Sequence, residues 1–214
     1  MRYEGEHPLK NVKLPKLQNQ RERFLTYEEA YTLLEELSNT SMLLHDIALL
    51  SLHTGMRAGE IFNLKCQDIN LENEIINIVD TKNKEPRKSF MTVAVKKILQ
   101  KRKTALPDDF IFKDRAHGGK INGVSAAFAR AVKRLKFNEG ISDRRNKVVF
   151  HTLRHTFASW LVSQNESILT IKELLGHKCL NMTLRYAHLC SDSKKQATLN
   201  LEKVFNENKL LITL

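Results

Sequence analysis

Long apolar runs are missing from this chain. No stretch of its 214 residues approaches the roughly 18 uninterrupted apolar side chains that a membrane-spanning helix needs. Glycine (8) and proline (4) are too scarce for a collagen-like or low-complexity polymer. Cysteine is scarcer still. Cys66, Cys179 and Cys190 are odd in number and lack metal-binding spacing, so they read as reduced thiols of a cytoplasmic protein. No glycine-rich phosphate loop of either common type occurs, so no site for ATP-driven chemistry is visible. G-x-S-x-G is absent too, which excludes the common hydrolase elbow. The opening residues Met1-Arg2-Tyr3-Glu4-Gly5-Glu6 carry no apolar signal segment.

What is present is a soluble, globular balance: 42% hydrophobic residues and 28% charged ones, enough for a real core. Lys and Arg outnumber Asp and Glu by 35 to 24, a formal charge of +11. The excess is uneven. Residues 21–60 hold three basic and seven acidic side chains, whereas residues 81–105 hold nine basic and one acidic. Residues 113–154 hold eleven basic and three acidic. Two separate basic segments suit a polyanion, and nucleic acid is the default partner because each neutralised phosphate releases a counterion. No amphipathic stretch combines a basic face with exposed Trp or Phe, so membrane binding is not expected.

The pattern along the chain predicts a mainly α protein with a small three-stranded antiparallel sheet, an α+β class. Residues 1–22 are polar, contain Pro8 and Pro15, and read as a linker or arm. Thr26 and Glu29 form a capping box before a helix. A more apolar helix follows over 42–54, with Gly55 placed to end it. A short helix begins near Arg57. Strands are expected at 68–71, 75–79 and 88–93, with a turn at 81–86 between the last two. Helices resume at 94–104, 121–137, 151–163 and 168–175, where Gly176 stops the chain. One or two helical turns fit 180–187, and a helix fits 192–207. The domain expected to carry the chemistry runs from 23 to 190, with 191–214 as a C-terminal helix and apolar tail.

The side chains with chemical potential are cations, histidines and one tyrosine. His151, Arg154 and His155 share one helical face at i, i+3 and i+4. His177 leaves a glycine-ended helix, and Tyr186 lies nine residues further on. Arg57 sits just past a helix end, and Lys82 sits in the hairpin turn. Arginine forks match phosphate oxygens and can neutralise charge that grows on them in a transition state. A phenol with a pKa of about 10 is a poor nucleophile until a base or nearby cations activate it. A lysine among cations can protonate a departing alkoxide. Together these groups fit metal-free phosphoryl transfer to tyrosine. Zinc held by His151 and His155 is a weaker fit, because Thr152 stands where such helices carry a catalytic Glu.

Arg57 in TGMRAGEI, Lys82 in its turn, HTLRH at 151–155, LLGH at 174–177 and Tyr186 resemble the tyrosine recombinase (phage integrase) family, catalytic domain. The resemblance covers about Arg23 to His188. It implies site-specific DNA cleavage and rejoining through a 3′-phosphotyrosyl intermediate, without metal, ATP or other cofactor. It casts Tyr186 as nucleophile, Arg57 and Arg154 as phosphate clamp, and Lys82 as general acid, with Lys84 the alternative. His151 becomes general base or proton relay, and His177 a donor to the phosphate. Glu60 becomes an orienting acid, with His155 a structural neighbour in its helix. Lys84, Arg87, Lys88, Lys120, Arg130, Arg144 and Arg145 are the expected DNA-binding cations. The implied partner is double-stranded DNA, bound by a homotetramer that is monomeric in isolation. A separate N-terminal core-binding domain is expected to be missing from this chain, and residues 210–214 to dock in cis or in trans. Two other readings share the fold: a module that binds DNA without cutting it, and a relaxing topoisomerase of type IB.

Overall fold

The computed structural model describes residues 22–79, 86–114, 118–189 and 198–206. Thr26 caps the first helix, α1 (Tyr27–Thr40), through both arms of the capping box: its hydroxyl accepts from Glu29 N, and the Glu29 carboxylate accepts from Thr26 N. Ser41 ends α1 and caps α2 (Met42–Thr54). α2 is apolar around most of its circumference, which marks a helix to be buried. It packs against α1, α3 (Ala58–Phe62), α4 (Val93–Arg102) and α6 (Phe150–Ser163).

The sheet is antiparallel in the order β1 (Ile69–Asn70), β2 (Ile75–Ile78), β3 (Arg87–Phe90). Ile69 pairs with Ile76, and Ile78 with Arg87. Alternation puts Ile76 and Ile78 on the covered face, where they join Ile47, Leu50, Met56 and Leu99 in one core cluster. A second cluster, with Leu33, Leu37, Ala48, Phe128 and Leu153, lies among α1, α2, α5 (Ser125–Arg134) and α6. A third holds Ala158, Val162, Ile171, Leu175 and Tyr186, joining α6 to α7 (Ile168–Leu175) and to the turn after α8 (Asn181–Leu184). The segment entering α1 is stapled to α6. Leu25 N donates to Thr156 Oγ1, and Trp160 Nε1 donates to Leu25 O.

Two expectations shift at their ends. The strand expected over 88–93 stops at Phe90, because the Thr92 hydroxyl accepts from Val95 N and starts α4. The helix expected over 121–137 spans only Ser125–Arg134; beyond it Lys136 takes a positive φ of 57° and the chain turns. Helix also spans 198–206, with an exposed surface throughout. The hairpin turn with Lys82 and Lys84, the arm up to residue 21, Cys190 and the tail 210–214 lie outside the described residues. Among the described residues no helix is long and apolar enough to cross a membrane.

Candidate active site

Two helix C-termini build the floor of the site. α2 ends on Gly55 with φ 65°, and α7 ends on Gly176 with φ 61°. Both positions demand more than a left-handed backbone. A Cβ on Gly55 would lie 2.5 Å from the Phe157 ring, and one on Gly176 would lie 2.7 Å from Arg87 Cδ. The turns leave the carbonyls of Gly55 and Leu175 facing α6, and Arg154 takes both: Nη1 donates to Gly55 O and Nη2 to Leu175 O. A buried cation at two helix C-termini also meets their partial negative charge. Burial, and then the Arg57 charge, push the Arg154 pKa down to about 9, so the guanidinium remains charged at neutral pH.

Glu60 organises the other arginines. Its carboxylate accepts from Arg57 N at 2.8 Å and Arg57 Nη1 at 2.9 Å, which also starts α3. From the other side Arg87 donates through Nη1 at 2.9 Å and Nη2 at 2.7 Å, a bidentate fork. Arg87 Nε completes the tie by donating to Leu174 O on α7. Burial alone would raise the carboxyl. The Arg87 bonds and charge, the Arg57 amide and the Arg154 charge outweigh it and bring its pKa to about 2. Arg87 was expected among the DNA-binding cations; here it is turned inward. Its side chain is 9% exposed and spent on Glu60 and α7. Arg57 is the accessible member, at 22%.

His177 follows Gly176, and its Nδ1 shares a 2.8 Å hydrogen bond with Thr183 Oγ1 on α8. Burial, helped by Arg154, Arg57, Arg185 and Arg87, lowers its pKa to about 3, so the ring is neutral. Tyr186 comes three residues after Thr183, in the turn that closes α8. Burial raises its phenol pKa, while Arg185 and Arg154 oppose that rise. The Arg185 guanidinium lies 5.7 Å from the Tyr186 ring centre. The hydroxyl is 2.6 Å from His155 Nδ1. His151 is exposed and meets the His155 ring edge-on, with centroids 4.8 Å apart. A pocket of about 300 Å³ opens beside the phenol, lined by Glu22, Phe24, His155, Ser159, Tyr186 and His188 among others. A larger apolar groove, about 710 Å³ beside α5, contains none of these residues.

The fold therefore brings Arg57, Glu60, Arg154, His177 and Tyr186 into one electrostatic neighbourhood, with His151 joined to it through His155. Thr183 and Arg185 join this set unannounced by the sequence, and Arg87, expected as a DNA-binding cation, joins it as a partner of Glu60. Lys88, Lys120, Arg130 and Arg144 are exposed. Arg145 is half-buried and paired with Asp143, with Glu22 nearby, so its charge is largely neutralised in place. Guanidiniums, a neutral imidazole and a phenol can together hold an anionic diester and attack it.

Comparison with known proteins shows the family. The model of the phage integrase family matches residues 23–192. The tyrosine recombinase XerC of Oceanobacillus iheyensis is 30% identical over 220 residues, which cover 97% of this chain and 70% of that protein. The tyrosine recombinase XerA of Saccharolobus solfataricus is 35% identical over 143 residues, 67% of this chain and 45% of that one. With 51% for the integrase of Escherichia phage P2, the chain spans about half the length of several such relatives. Among solved structures, the catalytic domain of bacteriophage HP1 integrase superposes with a TM-score of 0.62 at 28% identity, covering 82% of this chain and 92% of that one. On its sequence, its fold and the grouping of its cations around a tyrosine, the chain belongs to the phage integrase family.

Proposed function

We propose that this chain is the catalytic domain of a site-specific DNA recombinase that cleaves and rejoins strands through a 3′-phosphotyrosyl link. One observation carries the reading: Arg57, Arg154, His177 and the Tyr186 phenol share a neighbourhood in which the Glu60 carboxylate is already neutralised by arginine. Such a site favours a phosphodiester and stabilises charge on its non-bridging oxygens. Tyr186 Oη gives its proton to a histidine of α6 and forms the new bond to phosphorus, and the bond from phosphorus to O5′ breaks. O5′ takes a proton from Lys82, or from Lys84 of the same turn. His177, neutral and hydrogen-bonded through Nδ1 to Thr183, donates to the phosphate. The phosphotyrosyl diester keeps the energy of the bond it replaces, so resealing is the reverse attack by a 5′-hydroxyl. The step balances without ATP, a metal or another cofactor.

The partner is double-stranded DNA, steered by the basic segments and by exposed Lys88, Lys120, Arg130 and Arg144. The chain works in the cytoplasm as a homotetramer on DNA, is monomeric alone, and is completed by a core-binding domain that clamps the duplex. The share of its relatives that it spans supports the last point. Integration or excision of a mobile element suits such chemistry. The test is covalent trapping on nicked suicide duplexes with randomised sequence across the cleavage region. The parent chain gives a protein–DNA adduct resistant to denaturant, and Tyr186→Phe gives none. DNA retention in a gel with no adduct from the parent chain would make this a binding module. Relaxation of plasmid without sequence preference would make it a topoisomerase.

A further inference from the structure

The side chain that touches the phenol's oxygen is not the one the sequence pattern favours. His155 Nδ1 lies 2.6 Å from Tyr186 Oη, and both residues are buried. The rings are tilted by 50°, with centroids 5.8 Å apart. A buried hydroxyl needs a hydrogen-bond partner, but a hydroxyl or a backbone carbonyl would satisfy that need. An imidazole nitrogen adds a basic lone pair. We propose that His155 is a further catalytic residue of the cleavage step, accepting the Tyr186 phenolic proton on Nδ1 as Oη attacks phosphorus. This rests on the phosphotyrosyl reading above.

The ring starts neutral, protonated on Nε2, with the phenol donating to Nδ1. The O–H bond of Tyr186 breaks and its proton moves to Nδ1. The O–P bond forms, the P–O5′ bond breaks, and its electron pair stays on O5′. O5′ takes a proton from the lysine acid. One proton leaves the lysine and one arrives on the imidazole, so the charge of the site is unchanged.

Surroundings favour a transfer that keeps step with attack. Burial makes free phenolate scarce, so a pre-formed nucleophile would be rare. Arg185 and Arg154 favour negative charge as it develops on Oη during attack. The proton therefore stays on oxygen until that oxygen's charge passes to phosphorus. Glu22 and His188 line the same pocket as His155 and Tyr186. His151, edge-on to His155 and exposed, is placed to pass the proton to water.

The experiment is single-turnover adduct formation by the full chain on nicked duplexes with a randomised central sequence. His155→Asn keeps a polar group of similar reach with no basic nitrogen. His155→Ala leaves room for added imidazole. Both variants are expected to form adduct roughly 10²- to 10³-fold more slowly. DNA retention and melting midpoint stay near those of the parent, and imidazole restores His155→Ala at least about tenfold, a return a packing role does not give. A rate for His155→Asn within about threefold of the parent overturns the proposal, because general acid–base catalysis is worth far more. So does a loss in both folded variants with no response to imidazole, which makes His155 a packing residue. If the parent itself forms no adduct, the phosphotyrosyl reading fails instead.

Discussion

The arginine side of the site and the tyrosine side are built differently. Arg154 is held by carbonyls from two helix ends, and Glu60 is gripped by two arginines from opposite directions. Every group there is cross-braced between α2, α3, β3, α6 and α7. Tyr186 instead follows a helix of four residues, and its hydroxyl has one described hydrogen bond, to His155. Donors fixed before substrate arrives cost no reorganisation in the transition state, so a phosphate grip gains from bracing. In the proposed reaction the phenol approaches phosphorus in one step and retreats in the next, and a short, lightly held support suits that.

The contrast can be broken from the braced side first. Arg154→Lys keeps a charge but cannot reach two carbonyls and a phosphate with one ammonium. Adduct formation in the suicide-duplex assay should fall about 10³-fold, well beyond what loss of folding explains in a melting curve. Gly55→Ala tests the frame itself. The new Cβ meets Phe157 on a backbone that alanine resists, and thermal or urea unfolding should show a loss of about 2–4 kcal/mol.

Glu60 gives a pH test. Its carboxyl titrates at about 2 when folded, against the ordinary 4.5. A depressed folded value means its stabilisation is fully present above pH 4.5, declines as pH falls below that, and is gone below pH 2. The difference in unfolding free energy between the parent chain and Glu60→Gln should therefore shrink across that window, by up to roughly 3 kcal/mol. A difference that stays flat from pH 5 to pH 2 would show that Arg87 and Arg57 do not hold the carboxylate. Thr183→Val probes the lighter side. His177 loses its Nδ1 partner, and adduct formation should slow by about three- to tenfold, the worth of one neutral hydrogen bond.

The same contrast decides what could be read from the sequence. Features written in local chemistry were legible: the Thr26–Glu29 box, the two glycines that end α2 and α7, and the alternation that makes β2. Helix geometry made one face of His151, Arg154 and His155 legible, and the resemblance to a family singled out Arg57, His177 and Tyr186. Arg87 was not. In a run of nine cations it looks like one more solvated charge, and only the packing of β3 on α7 brings it to Glu60, 27 positions away. His155 and His151 are equivalent by helical spacing. Which of them meets the phenol depends on where the turn after α8 returns to α6, a long-range fact that no local pattern encodes. The strand that ended early did so because one hydroxyl, Thr92, served a helix start better than a ladder.

Arg154 has one more consequence. Its two carbonyl partners, Gly55 and Leu175, belong to helices separated by 120 positions of chain. The guanidinium finds its place only when both helices are home. Should α7 peel away from the body of the domain, Arg154 loses the Leu175 carbonyl and Tyr186 loses its packing on Ile171 and Leu175 together. Under the proposed cleavage chemistry, competence to cut is thereby tied to completion of folding, and a half-assembled copy cannot break a strand.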